Sequence, residues 1–119
     1  MDQATYVAVG AVAGALLRWK TANTAVKYGI SVPYATAAIN VVGSFILGAI
    51  AARTHSPRTK LLVGTGFCGS FTTFSTFSVD VVNYVDTGRY GRAILYIGAT
   101  NIGGFGAAAM GYKLFKIAK

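Results

Sequence analysis

The sequence predicts an all-α membrane protein of four spanning helices, the third broken near its middle, and three observations carry that prediction. Hydrophobic residues make up 54% of the 119 positions and charged residues 12%, a balance outside that of a soluble domain this small. Segments 34–52 and 93–112 each run about twenty residues without a charged side chain, enough helix to cross ~30 Å of hydrocarbon. Segment 64–78 interleaves three glycines and four phenylalanines with serines and threonines, which no ordinary spanning helix does.

The first helix covers 5–29. Its apolar run 5–17 leads into Arg18, Trp19 and Lys20 without a small-residue cleavage site, and Asp2 stands where a signal peptide carries basic residues. The segment therefore reads as a retained helix that loosens into a partly polar turn near Gly29. Ser31 and Pro33 interrupt the chain before the second helix, 34–52. A short polar loop, 53–60, contains Pro57. The third helix covers 61–85 with a break near 69–72, residues 86–92 form a turn, and the fourth helix covers 93–112. Lys113, Lys116 and Lys119 end the chain in a basic tail. All of 1–119 is thus one four-helix domain. Glycines in the first, second and fourth helices leave flat faces on which backbones approach closely, a packing that replaces the hydrophobic driving force inside lipid.

Charge excludes more than it selects. The net charge of +8 is spread over loops and tail, with no basic helix face interleaved with aromatics, so no nucleic-acid partner is expected. With four spans, one side carries Arg53, Arg58, Lys60, Lys113, Lys116 and Lys119. The other carries Lys20, Lys27, Arg89 and Arg92, or five if Arg18 is counted. Six against four or five is a weak orientation signal. A chain that inserts both ways is able to pair with an inverted copy of itself. Cys68 is alone and His55 is the sole histidine, in a loop, which leaves no catalytic triad and no multi-cysteine metal site. Asp80 is the one acid within a predicted span, and pairing with a basic residue is its expected role.

On the second helix Thr36, Asn40, Ser44 and Gly48 recur every four residues, a polar track on one face. Interhelical hydrogen bonding explains such a track. The Asn40 amide adds two uncharged donors that replace part of an anion's hydration shell. In the third segment Gly66, Gly69 and the Thr72–Thr73 pair favour a break, which frees backbone groups at membrane depth. Phe71, Phe74 and Phe77 recur every three residues near one face, beside a stripe of Ser75 and Ser78. Rings normally pack, but their positive edges also hold a small anion without a net charge.

Three motifs then occur in order: Gly10-xxx-Gly14-Ala15-xx-Arg18, Asn40-xx-Gly43-Ser44-Phe45 and the run from Gly66 to Ser78. With them the chain resembles, over essentially its whole length, the small fluoride channels called Fluc or CrcB. The resemblance implies passive, fluoride-selective export through two pores of an antiparallel, dual-topology homodimer in the cell membrane, lowering cytoplasmic fluoride. It also implies that Asn40 is the pore asparagine and that Phe74 and Phe77 are the aromatic box, with Ser75 and Ser78 near the hydroxyl track. Tyr96 matches the fourth-helix tyrosine that meets the pore, and Arg18 the vestibule arginine. Gly69 and Thr72 resemble the pair whose carbonyls, from both subunits, hold a structural sodium. Trp19, Ser70 and Asp80 depart from the family's usual tyrosine, glycine and glutamate. The alternatives are a small four-helix exporter, which needs a deep acid that the first helix lacks, and a structural membrane protein, which leaves the break without a purpose.

Overall fold

The computed structural model describes residues 2–117, so Lys119 of the basic tail lies outside the described residues. Every regular element among the described residues is helical. Helix α1 spans Gln3–Lys27, and Asp2 caps it by accepting the Thr5 amide (2.9 Å) and hydroxyl (2.7 Å). The hydrogen bonds from the Thr5 side chain and backbone hold the exposed Asp2 carboxyl below the usual carboxylate range. No loosening occurs at Arg18: α1 runs unbroken through it to Lys27. Its end is a Schellman turn, in which Gly29 N–H donates to Val26 O and Ile30 N–H to Ala25 O. Gly29 takes φ +82° there, which a glycine adopts without steric cost.

Helix α2 spans Val32–Arg53, with Pro33 in the first turn where a missing N–H costs nothing. The loop that follows is shorter than expected, because Ser56 accepts the Thr59 amide (3.4 Å) and starts the next helix at Pro57. Helix α3 is one rod made of Pro57–Thr59, Lys60–Cys68 and Gly69–Phe71, its middle wound as a π-helix. Residues Thr72 and Thr73 are extended. The break therefore sits at Thr72–Thr73, at the far edge of the predicted 69–72, and Gly69 is still helical (φ −61°, ψ −30°). Helix α4 spans Phe74–Asp86 and closes in a second Schellman turn at Gly88, φ +73°. Helix α5 spans Tyr90–Ile117.

The rods run up and down in alternation, with α3 and α4 as the two halves of the third. Helix α1 lies along α3 and α2 along α5. Both seams are made of residues without bulk. A Cβ on Gly10 would collide with Leu62 O, one on Gly14 with Phe67 O, and one on Gly66 with Val7 O. On the other seam Gly48 abuts Ala108 O and Gly111 abuts Phe45 O. The core is rich in small side chains: Ala35, Ala49, Ala52, Ala93 and Cys68 are buried beside Ile39, Phe71, Phe77 and Tyr96, while Leu16, Leu95, Ile94, Ile102 and Phe105 face outward. This is the reverse of a water-soluble core. Two helices, Val32–Arg53 and Tyr90–Lys116, are long and apolar enough to cross a membrane.

A Gly14→Leu substitution is expected to separate α1 from α3 and cost about 3 kcal/mol or more, as overpacking against backbone does. Gly91→Ala, which meets nothing within 4 Å, is the matched control. Thermal unfolding in detergent reads both; equal midpoints would contradict the seam as described.

Candidate functional site

A helix that continued past Phe71 would have the Thr73 amide donate to Gly69 O. Instead Thr73 N–H donates to Asn40 Oδ1 (2.8 Å), and Asn40 Nδ2 donates to Thr73 O (3.1 Å). The carboxamide thus binds one residue's backbone at both ends, as a neighbouring strand does, and satisfies both backbone groups of Thr73 at the break. One Nδ2 hydrogen of Asn40 remains. The Thr72 hydroxyl returns to Cys68 O (2.8 Å) and the Thr73 hydroxyl caps α4 by accepting Thr76 N–H (3.1 Å). Arg18 reaches across from α1, its Nε donating to Ser70 O (3.0 Å). No backbone amide among the described residues donates across the break to the Gly69 or Thr72 carbonyl.

Below the break a cleft of about 250 Å³ opens, lined by Asn40, Ser44, Thr72, Phe74, Phe77 and Thr100 among others. Phe77 is buried, edge-on to Tyr96 with centroids 5.0 Å apart, and Phe74 lies tilted beside it at 5.8 Å. Phe74 itself is 78% exposed, so one wall of the cleft is open in the single chain. Phe71 does not join them. Two extended residues separate it from Phe74 and break the three-residue repeat, and it stacks on Phe67 at 5.5 Å instead.

The structure brings Asn40, Gly69, Thr72, Phe74 and Phe77 to this one cleft. Ser75 lies exposed on the first turn of α4, its hydroxyl 3.3 Å from that of Thr73. Ser78 donates back to Phe74 O (2.9 Å), which commits its proton. Tyr96 stands behind Phe77, its hydroxyl donating to Asp80 Oδ2 (2.8 Å), with Thr36 in hydrogen-bonding reach. The expected basic partner of Asp80 is therefore a tyrosine hydroxyl: three residues beyond Phe77, Asp80 shares its buried face and meets α5 within the protein. Arg18 is half-buried, and its hydrogen bond draws it to the break.

Sequence reasoning missed Thr100. Its Oγ1 is buried without a hydrogen-bond partner and the residue lines the cleft. The signal was its place four residues after Tyr96, on the same helical face. A buried, orphaned hydroxyl is costly, and such groups are kept where something else is to be bound.

Residues 5–112 match the family described as CrcB-like protein, Camphor Resistance (CrcB). The chain is 45% identical over 108 residues to a fluoride-specific ion channel FluC 2 of Parasynechococcus marenigrum, covering 91% of this chain and 76% of that one. It is 44% identical over 101 residues to a fluoride-specific ion channel FluC of Acinetobacter baumannii, with 82% and 80% covered. A fluoride-specific ion channel FluC 1 of Geobacillus kaustophilus is 36% identical over 109 residues, covering 92% and 94%. A match that runs through both glycine seams, the break and the cleft places this chain in the CrcB-like family.

Proposed function

We propose that this chain is a fluoride-selective channel that lets the ion leave the cell passively, through pores built by two inverted copies in the cell membrane. The observation that carries the reading is the cleft below the break, where uncharged donors and aromatic rings meet with no cationic side chain among its lining residues. The activity for which the relatives are named agrees with it.

Fluoride surrenders hydration to pass a narrow site, so the wall must replace water without holding the ion. The free Asn40 hydrogen and the Thr100 hydroxyl are neutral donors suited to that exchange. Ring edges at Phe74 and Phe77 add weak positive potential while keeping the passage narrow. Ser75 extends the hydroxyl lining along α4, whereas Ser78 contributes oxygen only, its proton being engaged. Tyr96 occupies the Asp80 carboxylate and keeps that charge off the path. Arg18 holds the break in shape and adds positive potential outside the narrow part.

Four spans, with α3 and α4 together making the third, fit the 47 Å long axis against a bilayer of about 40–45 Å with headgroups. The open wall at Phe74 supports a second copy as its complement. Near-balanced basic residues support insertion in both orientations. The Gly69 and Thr72 carbonyls fit a sodium ion, since both are hard oxygens freed by the break. When bound, the ion would supply positive charge that draws the break ends of two copies together.

Vesicles containing the protein are expected to lose fluoride and retain chloride, read with ion-selective electrodes. Phe74→Ile and Phe77→Ile should each lower flux by roughly fivefold or more, the worth of about 1 kcal/mol of ring interaction. Phe45→Ile, whose ring meets Phe115 away from the cleft, should not. Equal effects at all three positions would count against the aromatic lining. Thr100→Val should slow flux while leaving the thermal midpoint unchanged or higher, because it removes an unpaired buried hydroxyl. Asn40→Leu should do the opposite to stability, costing about 1–3 kcal/mol through the orphaned Thr73 amide.

A further inference from the structure

On the side of the membrane where α1 and α4 end, a second cleft of about 430 Å³ opens. Its walls include Asp80, Asn83, Tyr84, Arg89 and Arg92. A smaller apolar cleft of about 200 Å³ shares Tyr84 and Arg92 with it and reaches Tyr96. Tyr96 in turn touches Phe77, which lines the central cleft. A chain of side-chain contacts thus leads from the cleft of the two arginines, through the buried Tyr96–Asp80 pair, to the aromatic rings.

We propose that Arg89 and Arg92 make this cleft an anion-collecting mouth, a weak site for small inorganic anions that feeds the narrow passage from the Asp80 end. Neither arginine takes part in an ion pair among the described residues. Arg89 is the residue that closes the Schellman turn, its amide donating to Tyr84 O (2.7 Å), and its guanidinium lies 5.8 Å from the Tyr84 ring centroid. Turn and ring together fix the charge at the rim. Two positive charges there face one carboxylate, and that carboxylate already accepts the Tyr96 hydroxyl. The excess is positive. Each charge stands at the opening, where it raises local anion concentration without binding an ion in the narrow part.

This inference rests on the channel reading, and salt separates the two. Flux is measured in neutral-lipid vesicles at subsaturating fluoride, once at about 10 mM ionic strength, where screening acts over roughly 30 Å, and once near 1 M, where it acts over roughly 3 Å. In an Arg89→Gln/Arg92→Gln variant, flux at low salt should fall roughly tenfold, the low end of electrostatic steering, and recover toward wild type at high salt. Arg89→Lys/Arg92→Lys should behave as wild type in both. A glutamine variant that matches wild type at low salt overturns the mouth, as does a loss that persists at high salt or appears equally in the lysine variant. Wild-type vesicles that pass no fluoride overturn the channel reading beneath it, a failure visible before any variant is compared.

Discussion

Two hydrogen bonds between the Asn40 carboxamide and the backbone of Thr73 are the constraint on which the rest of this structure leans. A helix broken in the middle of an apolar bundle leaves amides and carbonyls that water cannot reach. Asn40 answers both groups of one residue, the Thr72 hydroxyl donates to Cys68 O and the Thr73 hydroxyl accepts the Thr76 amide, which leaves the Gly69 and Thr72 carbonyls without a backbone donor among the described residues. Because that clamp holds, α4 is free to leave the line of α3, and Phe74 and Phe77 are carried to the same cleft as Asn40 itself. The residue that stabilises the break is therefore also a residue that lines the cleft. Its two roles use different atoms, since Oδ1 and one amide hydrogen serve the backbone and one hydrogen remains.

The glycine seams make the clamp possible. With Gly14 against Phe67 O and Gly43 against the Thr72 side chain, α1 and α2 approach the break from two sides at backbone distance. Arg18 arrives at Ser70 by the same approach, one turn beyond Gly14. Bulkier seams would hold Asn40 and Arg18 too far off to reach it. Small residues inside and large ones outside are thus a requirement of the site as well as an adaptation to lipid.

Much of this was legible in the residues. Length without charge marked two spans, glycine and proline marked the turns, and the four-residue spacing of Thr36, Asn40 and Ser44 put them on one face. What periodicity could not supply was phase across the break. Two extended residues reset the helical register, so Phe71 left the aromatic group that its spacing suggested and stacked on Phe67. The break sits at the far edge of the span the sequence marked, at the threonines and past the glycine: glycine is permissive, and Gly69 remains helical. Asp80 and Thr100 were opaque because their partners, or the want of one, lie on another helix.

The Asp80–Tyr96 pair shows how a carboxylate is tolerated beside the proposed anion path. Left bare, a buried negative charge would repel an anion entering the neighbouring cleft, at a point where little water screens it. Tyrosine donates to the carboxylate while turning its ring toward Phe77, so one side chain both occupies the charge and continues the aromatic wall. The carboxylate in exchange fixes the direction of the tyrosine hydroxyl. With the hydroxyl committed, the donors left facing the cleft include the neutral ones of Asn40 and Thr100. Weak donors are what a conducting site requires, because an ion bound strongly at the centre leaves slowly.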